Sequence, residues 1–135
     1  MADKLIIDAS GAVFGRLCSY AAKKAIEDKD VVILNSEKVI ITGNKKNIIK
    51  KYKEIRAKGG HSQKGPQLSK IPHMILKRSI RSMLPDFRRG QGKLAFKRIK
   101  CYEGIPNEFE GEKMVKISAP KKLKYIELKE LSEKL

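Results

Sequence analysis

Arg81 stands four residues after Lys77 and three after Arg78, so on a helix the three share one neighbourhood. Cations held that close suit one chemistry, the binding of an anion with several oxygens, such as a phosphate. They belong to a larger set. The 57 residues from Asn44 to Lys100 hold 18 Lys and Arg against only Glu54 and Asp86, a net of +16. Residues 1–43 and 101–135 each balance to zero, so this segment carries the whole net charge of the chain. Self-repulsion of that size opposes compaction, and a polyanion that neutralises it removes the cost and releases counterions. Nucleic acid is the partner these residues imply.

The residues expected to make the contact are Lys45, Lys46, Lys50, Lys53, Arg56, Lys58, His61, Lys64, Lys77, Arg78, Arg81, Arg88, Arg89, Lys93, Lys97 and Arg98, with Arg16 outside the segment. Trp is absent and aromatics make up 6% of the chain. Within the segment only Tyr52, Phe87 and Phe96 could stack on bases. Binders of single strands rely on such platforms, so readout by shape and phosphate contact is expected.

Other chemistries find less support. His61, His73, Cys18 and Cys101 lack the paired close spacing of a zinc site, and no metal or cofactor is expected. The two cysteines are too few and too far apart for a secreted disulfide framework, so buried free thiols are expected. Asp8-Ala-Ser-Gly11-Ala-Val-Phe-Gly15-Arg16 sits where a strand meets a helix, as phosphate loops do, but it lacks the three-glycine spacing of dinucleotide folds. It is read as a tight turn with close helix–sheet packing, Gly15 included, and Asp8 is expected to bond backbone N–H groups or to serve Arg16 as counter-ion. Thr42-Gly43-Asn44-Lys45-Lys46 lacks the ending of a phosphate loop and is read as a helix cap at Asn44. No set of nucleophile, base and acid stands out, so an enzyme is not expected. A nucleotide-dependent enzyme using the Gly11–Arg16 turn is the alternative from another class.

The elements that position these residues can be read from periodicity. Lys4–Asp8 and Asp30–Asn35 are apolar strands, and Val39–Thr42 is a further β-branched run. Phe14, Leu17, Cys18, Ala21 and Ala25 mark an amphipathic helix ending near Asp28. Strand, helix, strand suggests a βαβ unit and a parallel sheet, covered on both faces because its strands do not alternate. A helix is expected from Asn44 to about Lys58 on Ile48, Tyr52 and Ile55, with Lys46, Lys50 and Lys53 on another face. A loop is expected over 59–72. A helix then starts at Pro72 on Leu76, Ile80, Met83 and Leu84, and Pro85 stops it. A third basic helix begins near Lys93. Met114–Ser118 alternates like a strand, and Glu127–Leu135 suits a short terminal helix. At 135 residues and 41% apolar the chain is expected to be a single folded domain, residues 1–135, with the basic segment 44–100 inside it. With no apolar stretch of signal-peptide or membrane-span character, it is expected to be cytoplasmic.

The blocks IIDASGAVFGRL, DVVILNSEKVIITGNKK, IRSMLP and RIKCYEGIP, in that order over most of residues 6–106, closely resemble the universal large-subunit ribosomal protein 13 family. The ordered set is far more specific than any one block. The resemblance implies a three-layer α/β/α fold around a small, mainly parallel four-stranded sheet, with basic helical and loop extensions. It implies a structural constituent of the large ribosomal subunit that binds large-subunit rRNA and neighbouring ribosomal proteins, with no membrane and no small-molecule substrate. The sequence IPNEFEGEKMV after Gly104 and the central loop KGGHSQKGPQ depart from the bacterial pattern and lean to the archaeal and eukaryotic branch. A free regulatory RNA-binding protein is compatible with the same surface.

Overall fold

The computed structural model describes residues 4–57, 69–86, 88–117 and 124–135. Its centre is a parallel sheet. Strand β1 (Lys4–Asp8) pairs along its whole length with β2 (Asp30–Leu34), from Lys4 opposite Asp30 to Asp8 opposite Leu34. Strand β4 (Ile99–Cys101) extends the sheet beyond β2, and the two-residue β5 (Val115–Lys116) closes it beyond β1. The order is β4-β2-β1-β5, all parallel. The expected fold class is therefore met.

The missing alternation has the expected cause. Ile7, Val31 and Ile33 point to one face, while Ile6, Val32 and Leu34 point to the other, and all six are buried. Helix α1 (Phe14–Ile26) covers the first face with Leu17, Cys18, Ala21, Ala22 and Ala25. Small alanines let that helix approach the sheet closely, and Lys23 and Lys24 in its last turn complement the helix dipole. Helices α3 (Pro72–Ser82) and α4 (Gly90–Lys97) join the same core through Ile75, Leu76, Ile80 and Ala95.

The layers are unequal. The second face is covered by a 3-10 turn, Asn107–Phe109, rather than by a full helix. Phe109 is the plug: its ring lies 5.7 Å from Tyr102, and the Lys4 ammonium sits 4.6 Å from its centre.

Strand β3 (Ile40–Thr42) does not join the parallel sheet. Asn35, in the left-handed conformation at φ 59°, and the 3-10 turn Ser36–Lys38 carry the chain away from it. β3 pairs antiparallel with β6 (Tyr125–Glu127), which leads directly into α5 (Leu128–Lys134). Ile126, Leu128 and Leu131 bury that terminal hairpin arm in the main core.

Three local expectations need correction. Met83 is 44% exposed rather than on the core stripe of α3; Ile75 takes the buried place. Helix α4 starts at Gly90, inside the turn that precedes Lys93. Gly15 makes no close approach, since a Cβ there would meet nothing within 4 Å. The glycine that does is Gly92, where a Cβ would lie 1.7 Å from the Pro85 carbonyl oxygen. Ser118, at the end of the strand expected over Met114–Ser118, lies outside the described residues, and β5 itself covers only Val115–Lys116.

Candidate nucleic-acid interface

Helix α2 (Lys45–Ala57) is the most exposed element of the fold. None of its residues is buried, and Ile48, Ile49 and Tyr52 rest only partly on the core. It begins as the sequence suggested: the Asn44 side-chain oxygen accepts a hydrogen bond from the Lys46 N–H at 2.9 Å. Lys46, Lys50, Lys53 and Arg56 are all exposed, the first three one turn apart. No acid occupies the first turn, where the helix dipole would favour one, and two lysines stand there instead. Lys45 is partly neutralised by Glu130 of α5, with Nζ 3.3 Å from the carboxylate. Burial pushes the Tyr52 hydroxyl pKa up, and the nearby Cys18 sulfur adds to that, so Tyr52 stays a neutral anchor for the helix.

Helix α3 starts at Pro72, whose missing N–H is no loss at a first helical position. Its inner stripe of Ile75, Leu76 and Ile80 leaves Lys77, Arg78 and Arg81 half-buried near the surface. Lys77 lies across the Phe96 ring of α4, with Nζ 5.1 Å from its centre. Lys77, Arg78, Arg81, Phe96, Met74 and Ser69 surround an open pocket of about 230 Å³. Arg88, Arg89, Lys93 and Lys97 are exposed on and before α4.

The structure gives Arg98 an internal task. Its guanidinium donates to the Ala25 carbonyl at 3.1 Å and pairs with Asp28 at 3.2 Å, which ties the start of β4 to the end of α1. Arg16 is exposed in the first turn of α1. Asp8 is not its counter-ion: Asp8 Oδ1 accepts from the Ser10 N–H at 3.1 Å and from Asn35 Nδ2 at 3.0 Å, and Oδ2 faces Lys116 at 3.9 Å. Burial raises the Asp8 pKa, but the Asn35 and Ser10 hydrogen bonds and the Lys116 charge outweigh it and hold the carboxyl below its ordinary value. Lys58, His61 and Lys64 lie outside the described residues, as does Phe87.

The turn considered for a nucleotide is occupied by its own backbone. Gly11 has φ +71° and donates to the Lys38 carbonyl at 3.1 Å, and Ala12 donates to Ala9 at 3.0 Å. Glu37 accepts from the Gly104 N–H at 2.9 Å, a structural contact that fixes the turn after β4. Cys18 and Cys101 are free and buried, and desolvation pushes each thiol pKa up to about 12. The pairing of Met74 and Phe96 with the cations was missed. Met74, Arg78 and Arg81 lie at i, i+4 and i+7, a spacing that puts them on one helix face.

The described residues form a small α/β body that presents cations on three helices, the class of a basic α/β protein with a polyanion-facing surface. Residues 2–108 match the family model described as Ribosomal protein L13. A large ribosomal subunit protein uL13 of Methanosarcina barkeri is 40% identical over 136 residues, covering 96% of both chains. The protein of that name from Methanocaldococcus jannaschii is 42% identical over 135 residues, again with 96% of both chains covered. The one from Thermoplasma acidophilum is 46% identical over 112 residues, 83% of this chain and 81% of that protein. The chain belongs to the ribosomal protein L13 family, with archaeal relatives; it is a structural ribosomal protein and not an enzyme. No described helix is long and apolar enough to cross a membrane.

Proposed function

We propose that the protein is a structural constituent of the large ribosomal subunit, a single domain over residues 1–135, that binds large-subunit rRNA through the cations of 44–100 and supports subunit assembly. The observation that carries this reading is the exposure of α2. A helix that buries no residue and places lysines at its own positive end is poorly supported within the chain alone. An anion laid against Lys46, Lys50, Lys53 and Arg56 relieves both deficits. Names of relatives with nearly full coverage agree with it, since each is a large ribosomal subunit protein.

The working surface is α2, the outer face of α3, and Arg88, Arg89, Lys93 and Lys97 around α4. Arg16 adds a cation at the start of α1. The balanced segments 1–43 and 101–135 supply most of the sheet and part of its cover, and the faces they expose are available to neighbouring ribosomal proteins. Pull-down of the tagged chain from native lysate of its source, with RNA and proteins identified, tests the reading. Large-subunit rRNA and large-subunit proteins are expected in the same particle. Recovery of the chain free of rRNA, or with small-subunit rRNA alone, overturns it.

A further inference from the structure

The pocket between α3 and α4 differs in its lining from the other pockets of the basic surface. Those beside α2 place lysines with an acid, Glu127 and Glu130 in one and Glu54 in the other. Here Lys77, Arg78 and Arg81 line the pocket together with Met74, Phe96 and Ser69. Three cations and, among the described residues, no acid line it, so the occupant is an anion. The lining also holds an aromatic ring and a thioether, so the occupant also carries a flat apolar face. At about 230 Å³ the pocket falls below the roughly 300–1,000 Å³ of sites for drug-sized ligands, and it takes a fragment on the scale of one base.

We infer that this pocket seats a single unpaired nucleotide of the RNA, its base on Phe96 and Met74 and its phosphate against Lys77, Arg78 and Arg81. The inference rests on the rRNA reading above and sharpens it from charge contact to a specific subsite. Two further features fit. Phe96 is packed against the core, which fixes its ring before RNA arrives and spares the entropy of ordering a platform. Met74 is 44% exposed, so its thioether is accessible to a base beside the Phe96 ring. In the free protein the Lys77 ammonium covers the Phe96 ring from 5.1 Å. Nucleotide entry exchanges that cation–π contact for a base stack, and the ammonium turns to the phosphate.

The test compares the full-length protein with Phe96→Leu and Met74→Ala for binding to large-subunit rRNA across a salt series. Leucine keeps the apolar contact with the core and removes the ring; Met74 is exposed, so its truncation spares the fold. Melting temperatures check that both variants are folded. Stacking on an aromatic ring predicts that Phe96→Leu weakens binding roughly fivefold or more. The slope of log affinity against log salt stays unchanged, because no phosphate contact is lost. Met74→Ala weakens binding in the same direction and by less. Ultraviolet crosslinking of the wild-type complex should place a nucleotide on the 94–97 peptide or on Met74. If both variants bind like wild type and no crosslink maps there, the nucleotide seat is wrong while the rRNA reading stands. If the wild type itself fails to bind the rRNA, the broader reading fails first.

Discussion

Asn35 donates its side-chain amide to Asp8 across the carboxyl ends of β2 and β1, with Nδ2 3.0 Å from Oδ1. The two residues close the central strand pair just where the chain leaves it. Asn35 is 6% exposed and sits at φ 59°, a conformation that asparagine tolerates better than most residues. Asn35→Gly keeps the conformation and loses the bond, so it separates the two contributions. We expect it to destabilise by about 1–3 kcal/mol, the cost of stripping a partner from a buried polar group. A denaturation midpoint equal to wild type would show that the bond contributes nothing.

Acid sensitivity follows from the same pair. The Asp8 pKa is lowered in the fold, so its contribution is complete above the unfolded carboxylate value of 3.8 and is lost as pH falls through the lower folded value. The stability difference between wild type and Asp8→Asn should therefore be constant at neutral pH and shrink below about pH 4. Chemical denaturation at pH 7 and at successively lower pH measures it. A difference that grows in acid would contradict the assignment.

Gly15, expected to pack closely, and Gly92, which does, give a sharp contrast. Gly92→Ala would force a Cβ to 1.7 Å from the Pro85 carbonyl and 2.4 Å from that of Asp86, and backbone cannot yield as a side-chain tip can. A loss of at least about 2 kcal/mol is expected, the scale of overpacking. Gly15→Ala meets open space inside a helix and should be neutral or stabilising by about 0.4–1 kcal/mol. Thermal melts of the two variants decide it, and the reverse ranking would refute the packing described.

That contrast shows where sequence reasoning reaches. The central strands were legible as continuous apolar runs, and α1, α2, α3 and the terminal helix because their apolar residues repeat with the helical period. Even the Asn44 cap was legible from residue type alone. β6 was not: its Tyr125–Glu127 run is short and unremarkable until Ile126 finds β3, a partner far away in sequence. Close approach of a backbone, as at Gly92, is likewise invisible before the tertiary fold exists. Within the candidate interface, the cations and their helices could be read from the chain. The withdrawal of Arg98 into the fold could not, because its partners, Ala25 and Asp28, are some seventy residues earlier.

Arg98 and the α3 cations should consequently fail in different ways. Arg98→Ala removes a bond to the last carbonyls of α1 and should lower stability by about 1 kcal/mol. Its effect on RNA affinity should be small once folding is ensured. Arg81→Ala should weaken RNA binding by about 1–3 kcal/mol, the scale of a charge-assisted contact, with a smaller effect on the melt. Lys70→Ala, on a single exposed lysine ahead of α3, should matter less. Parallel melts and filter binding check the pattern, and equal RNA affinity for wild type and a triple Lys77, Arg78, Arg81 alanine variant would remove α3 from the interface.

The thiols should be inert in the native state. Burial of Cys18 and Cys101 raises each pKa to about 12, so neither forms the reactive thiolate at pH 8. A thiol reagent should react with neither until denaturant is added, and then with both. Because the folded values lie above the unfolded one, ionisation of the unfolded chain should also erode stability as pH rises beyond about 9. Fast labelling of the native protein would contradict their burial.

The most direct measurement is the salt dependence of binding to large-subunit rRNA. If on the order of eight phosphates are neutralised by the cations of α2, α3 and α4, log affinity should fall against log salt with a slope of roughly −5 to −7. An alanine variant of Lys46, Lys50 and Lys53 should reduce the magnitude of that slope by about 2–3. A slope near zero for the wild type, or a slope unmoved by the triple substitution, would contradict an electrostatic rRNA interface built on these helices.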